Sequence, residues 1–260
     1  MLAAGLLDGQ LTYWKRRLSG CLTPLRLPAD RERPAVRTFR YGREQIEFPE
    51  RLTAAIETAS RRAGATVFMM ALAAFKALLW SLTGQTDIRV GTIAANRQGA
   101  GLEGVVGLFI NPLVLRSELS GELSFGELLG RVRHTTLEAF DRQDVPFERV
   151  LESIAPGDRE ALSPVLFLFE SGRLPLEGIP GTAAGGQVPG PVSFEVQFST
   201  FEWIVEMRKE GPAMNVVLKY DADMYEEGSI RDLLWRYQST LDAAAADPAR
   251  RISQLTGEGR

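Results

Sequence analysis

Residues 66–82 read TVFMMALAAFKALLWSL, the most apolar run in the chain. A helix over this run would be apolar nearly all round rather than along one stripe, so it must be covered by the rest of the fold. Lys76 interrupts it at the centre, and the run is shorter than a comfortable membrane span. A buried helix inside a layered domain is therefore expected, with no membrane crossing. At 260 residues, 45% of them hydrophobic, the chain can build the core such a helix needs.

The segments around it read as α/β with a mixed sheet. Leu11 to Leu18 predicts a short amphipathic helix stopped by Gly20, followed by a proline-rich connector from Pro24 to Pro34. Residues 38–48 suit a strand pair or one bent strand, and 49–64 a helix with Pro49 at its start and Gly64 at its stop. TDIRVGTIA and the run ending at Arg116 read as strands, spanning 88–95 and 105–116. Ser124 and Glu127 have capping-box spacing, ahead of Phe125, Leu128, Leu129, Val132, Thr136, Ala139 and Phe140 on one helical face. A further short helix is expected near Pro146, then strands in VLFLF, VSFEVQF (192–198), WIVEM and MNVVLKY. A long Gly/Pro loop lies between the first two, and a last helix carries Ile230, Leu233, Leu234, Tyr237, Leu241 and Ala244. Strands interleaved with helices and then consecutive strands predict a layered sandwich on a mixed sheet.

Catalytic hardware is sparse. The 30 basic and 33 acidic residues nearly balance, at a net charge of −3, which gives no basic field for nucleic acid. One cysteine, Cys21, forms no internal disulfide and suits a reducing, cytoplasmic setting; no signal peptide is visible at the N-terminus. No G-x-S-x-G turn is present, and the single histidine, His134, falls off the apolar helical face between arginines. Asp221, Asp223, Glu226 and Glu227 could meet a hard cation, but fit better as acidic residues at the start of the last helix. The Gly-rich loop at 178–190 lacks the Lys-Ser or Lys-Thr of a phosphate cradle.

Several blocks, in order, resemble the C-terminal half of a condensation domain from non-ribosomal peptide synthetases, in the chloramphenicol acetyltransferase-like superfamily. YWKRRLSG is similar to the block linking the family's two halves. GATVFMMALAAFKALLWSLTGQTDIRVGTIAANR follows its helix, turn and strand, VGLFINPLVLR its Gly-x-Phe-Val-Asn-Thr block, and DRQDVPFERVLESI its Gln-Asp-Val-Pro-Phe-Glu block. The likeness spans roughly residues 10–256, which divides the chain into a linking helix and connector at 1–34 and a subdomain at 35–256.

The resemblance implies a chloramphenicol acetyltransferase-like half-domain forming one wall of an acyl-transfer tunnel. Asn111, Phe109, Pro112 and Arg97 would line that tunnel, with the Asn111 amide finding partners on a pantetheine arm. Arg97 would hold the acidic residue of the family's His-His-x-x-x-Asp-Gly motif, or in this chain alone pair with Glu202 or be solvated. That motif is not in this sequence, so no residue here is expected to be catalytic and no cofactor is expected beyond the phosphopantetheine arms of partner carrier proteins. Four readings follow: a non-catalytic docking module, a split enzyme completed by a separate N-terminal half, a homodimer, or a remnant of a longer protein.

Overall fold

The computed structural model describes residues 4–20, 23–34, 38, 40–97, 101, 105, 107–154, 163–171 and 201–255. Among these the elements run α1 (Ala4–Leu18), β1 (Tyr41–Phe48), α2 (Glu50–Arg62), α3 (Val67–Thr83), β2 (Asp87–Ala94), β3 (Asn111–Glu118), α4 (Phe125–Phe140) and α5 (Phe147–Ile154). They continue with β4 (Val165–Ser171), β5 (Trp203–Glu210), β6 (Ala213–Asp221), α6 (Glu227–Ala246) and α7 (Ile252–Leu255). The strand expected at 192–198 and the Gly/Pro-rich loop before it lie outside the described residues.

The strands form one mixed sheet in the order β1-β6-β5-β4-β2-β3. β4 runs parallel to both β2 and β5, and the other neighbours are antiparallel. Parallel neighbours cannot be joined by a hairpin. The β3, α4 and α5 excursion supplies the crossover between β2 and β4.

Alternation along the strands sends Phe48, Val216, Leu218, Val205, Phe167, Val90 and Leu115 to one face, where the helices lie. The helix α3 takes the central place its composition demanded. Met69 to Leu79 are buried without a break, and α3 touches α2, α4, α6 and β2. Thr66 caps its start by accepting from the Met69 N–H, and Gly84 ends it in the left-handed conformation at φ 66°. An aromatic chain ties the layers together: Phe68 meets Phe167, which meets Phe75, which packs edge-on against Tyr237 of α6 at 5.5 Å. The Tyr237 hydroxyl donates to the Ala71 carbonyl at 3.0 Å, so the polar atom it brings into this cluster is satisfied.

The helix α4 carries the capping box that its sequence predicts. The Ser124 hydroxyl accepts from the Glu127 N–H, and the Glu127 carboxylate accepts from the Ser124 N–H at 2.8 Å. Those bonds favour the ionised carboxylate and hold its pKa below the usual range. Ser124→Ala should lower the thermal unfolding midpoint by about 2–4 °C, measurable by circular dichroism, whereas Ser124→Asp should keep it.

The last helix begins differently from expectation. Glu226 is its N-cap but makes no side-chain capping bond. Asp30, from the connector, instead accepts from the Glu226 N–H and from the Ser229 hydroxyl, each at 2.7 Å. Asp223 is engaged by Thr38, and Asp221 closes the turn by accepting from the Asp223 N–H. A cap from a residue so distant in sequence carries no local signature. The first helix also starts earlier than Leu11, at Ala4, and its added turns place Gln10 in a buried position and Leu7 against the core.

Candidate functional site

The predicted site residues gather where β2 leaves the sheet and β3 enters it. Ala94 is the last residue of β2 and pairs with Asn111, the first of β3. Asn96 then turns the chain with φ 50°, a left-handed conformation that Asn tolerates better than most residues. Among the described residues, 107–110 therefore have no ladder partner on β2. This is why the strand expected from residue 105 begins only at Asn111. Pro112, opposite Ile93, falls on the outermost described strand, as its missing N–H requires.

Asn111 is buried at 6% exposure, and its amide is turned into the chain. Its Nδ2 donates to the Gln143 carbonyl at 2.7 Å and to the Val145 carbonyl at 2.8 Å, while Oδ1 accepts from the Phe147 N–H at 3.0 Å. Both amide protons and an oxygen lone pair are thus used internally. The partners expected from a pantetheine arm are supplied by the loop before α5, and Asn111 positions that loop. The reason is proximity: β3 starts beside the 141–147 turn, within reach of its Gln143 and Val145 carbonyls.

The same loop is held from its other side by α1. Gln10 and Asp144 exchange two hydrogen bonds, Gln10 Nε2 to Asp144 Oδ2 at 2.8 Å and the Asp144 N–H to Gln10 Oε1 at 3.2 Å. Trp14 Nε1 donates to the Arg142 carbonyl at 2.9 Å. Gln10 and Trp14 were not legible as site residues, although their spacing of four on one helical face, with a buried amide beside an indole, is the signal that marks them.

Arg97 lies over the ring of Phe109, its guanidinium carbon 4.5 Å from the centroid. It donates to the Val105 carbonyl at 2.8 Å and the Gly107 carbonyl at 3.2 Å. Glu202 is engaged elsewhere: it pairs with Arg33 and accepts from the Tyr225 hydroxyl at 2.7 Å, and burial together with Glu202 pushes the tyrosine pKa up. Val105, Leu108 and Ile110 stand exposed on the same turn, Leu108 at 87%. His134 is 72% exposed on α4, within 3.4 Å of Glu138. Among the described residues no group of three or more His, Cys, Asp or Glu side chains could hold a metal ion, and no single helix is long and apolar enough to cross a membrane.

The order of these blocks on this sheet matches one family. Residues 4–257 match the condensation-domain model. The chain belongs to the condensation-domain family. A linear gramicidin synthase from Brevibacillus parabrevis is 35% identical over 257 residues, covering 98% of this chain and 5% of that protein. Among solved structures, a holo four-domain nonribosomal peptide synthetase bound to AMP and glycine superposes with a TM-score of 0.81 at 20% identity, over 98% of this chain and 20% of that one. The X-domain from teicoplanin biosynthesis, in its complex with OxyB, superposes with a TM-score of 0.79 at 26% identity, over 96% of this chain and 55% of that one. The condensation-domain chain thus spans only a small part of its curated relative and about half of the X-domain.

Proposed function

We propose that this condensation-domain chain serves non-ribosomal peptide synthesis as the C-terminal wall of an acyl-transfer tunnel, and that amide bonds form only where an N-terminal half brings the His-His-x-x-x-Asp-Gly motif. Carrier proteins would deliver their substrates on phosphopantetheine arms. The observation that carries this reading is the histidine content: the one His in the chain is exposed on α4 beside Glu138, and no His-His pair is present to supply the family's general base. The apolar side chains of Val105, Leu108 and Ile110, next to Arg97 and Phe109, are the surface that the second half would cover. In this reading Arg97, Phe109 and Pro112 face the tunnel, and Asn111 fixes the Gln143–Phe147 turn beside it.

The test is an acyl-transfer assay with matched carrier-bound donor and acceptor, run on the chain alone and with an N-terminal half bearing the motif. Amide product is expected only in the mixture. Product from the chain alone would place catalysis here and end the proposal.

A second reading has one observation in its favour. The X-domain that superposes at 26% identity was solved in complex with OxyB, so a condensation-type fold can be seated on another protein. If this chain is a non-catalytic module recruiting a partner enzyme, a carrier protein or enzyme binds it, yet the mixture makes no amide. Self-association through the apolar turn, giving a homodimer, would instead appear as a concentration-dependent mass in sedimentation.

A further inference from the structure

A cleft of about 570 Å³ opens on the side of the molecule, between α1, β3 and α4. Arg16, Arg17, Arg116 and Arg131 line it, against Glu118 and Glu138. Four arginines thus face two glutamates, in a chain whose overall charge is slightly negative. A concave lining with one sign in excess focuses potential on whatever enters it.

Three of the arginines are fixed in place, largely by neutral groups. Arg17 Nη2 donates to the Arg116 carbonyl at 3.0 Å and to Thr135 Oγ1 at 2.7 Å. Arg131 Nη1 donates to the Glu118 carbonyl at 2.9 Å. Arg116 donates from Nη1 to the carbonyls of Arg17 and Ser19, and from Nε to Asp87 at 2.8 Å. Of these four arginines only Arg116 has a carboxylate partner among the described residues. Main-chain carbonyls orient a guanidinium without cancelling its charge, so Arg17 and Arg131 are held with fork positions and charge left over.

Two further atoms want an acceptor. Arg17 Nε is buried and has no hydrogen-bond partner among the described residues, a cost that native structures seldom leave unexplained. Ser117, 4% exposed and also part of the lining, accepts from the buried Lys76 Nζ at 2.8 Å, which leaves its own hydroxyl proton for a group in the cleft. We propose that this cleft is a binding site for a phosphate-class oxyanion, read by Arg16, Arg17, Arg116 and Arg131 with the Ser117 hydroxyl. A tetrahedral oxyanion offers several acceptors to forked donors at once, and the cleft volume suits a small phosphorylated molecule. The cleft lies at the Glu118 end of β3, opposite the Asn111 end assigned to the tunnel, and needs no second half-domain.

The probes are inorganic phosphate and pyrophosphate, titrated calorimetrically into the chain at low ionic strength in phosphate-free buffer. Saturable binding is expected, tighter for pyrophosphate. The double variant Arg16→Gln/Arg131→Gln changes two exposed side chains and should retain the unfolding midpoint while weakening binding by about tenfold or more. Lys15→Gln, on α1 but outside the lining, should shift affinity by no more than about twofold. Absence of saturable binding by either anion overturns the proposal. So does affinity that the double variant leaves unchanged, or tighter binding of a glutamate-rich peptide than of pyrophosphate, which would make the cleft a protein-docking surface instead.

Discussion

Asn111→Ala is expected to destabilise the fold by about 3 kcal/mol, because it strands the Gln143 and Val145 carbonyls and the Phe147 N–H in a buried place. Asn111→Asp separates this account from a simple loss of packing. An ionised carboxylate keeps the acceptor for Phe147 but presents oxygen to the two carbonyls, so at neutral pH it should cost more than alanine. The folded state disfavours the charged form, which raises the pKa of the introduced carboxyl. The variant is therefore most stable below the ordinary carboxylate range, about pH 4, and loses stability as pH rises through the raised value. Urea unfolding midpoints for the wild type and both variants at pH 4 and pH 7 decide the matter. If aspartate is tolerated as well as alanine at pH 7, the amide does not hold the loop as described. If the proposed function holds, carrier binding or mixture activity should fall further in Asn111→Ala, with the turn before α5 released, than in a surface variant of equal stability.

The second large effect concerns Lys76. It is wholly buried on α3, and its Nζ donates to the Leu115 carbonyl at 2.7 Å and to Ser117 Oγ at 2.8 Å, tying the central helix to β3. Burial, with the nearby Arg17 charge adding to it and Asp87 opposing it, lowers its pKa from 10.5 to about 7. A neutral amine still has two N–H groups, enough for both acceptors. Between about pH 7 and 10.5 the unfolded chain binds a proton that the folded chain does not. Stability should therefore rise with pH through this window, on the order of 1 kcal/mol per unit; the contribution is complete above the unfolded value and is lost as pH falls to the folded one. Lys76→Met fills similar space without a titrating group, so the difference in unfolding free energy between wild type and variant should change steadily across the window. A constant difference would mean that the ammonium stays charged when buried.

Much of the fold was legible in the sequence. The all-round apolar run at 66–82 could only be a central helix, and the Ser124 and Glu127 spacing announced the start of α4. Misreadings came where a partner lies far along the chain. Residues 105–110 are as apolar as the strand they precede, yet β2 departs at Ala94 and leaves 107–110 without a ladder partner. The acidic run at 221–227 suggested a self-sufficient helix start, whereas Asp30 supplies the cap. The spare amide at Asn111 looked like an invitation to a ligand, because sequence shows a polar group but not the carbonyls that satisfy it.

By itself, then, the sequence determined the layered α/β class, the central helix and the family, since these follow from hydrophobic period, local capping chemistry and ordered motif blocks. Only the tertiary structure decided which polar groups are spent on holding loops and which stand together unspent. Hydrogen-bond partners and charge clusters come from segments brought side by side by packing. The bracket of Gln10, Trp14 and Asn111 around one loop, and the arginines of three elements around one cleft, exist only once the core has closed.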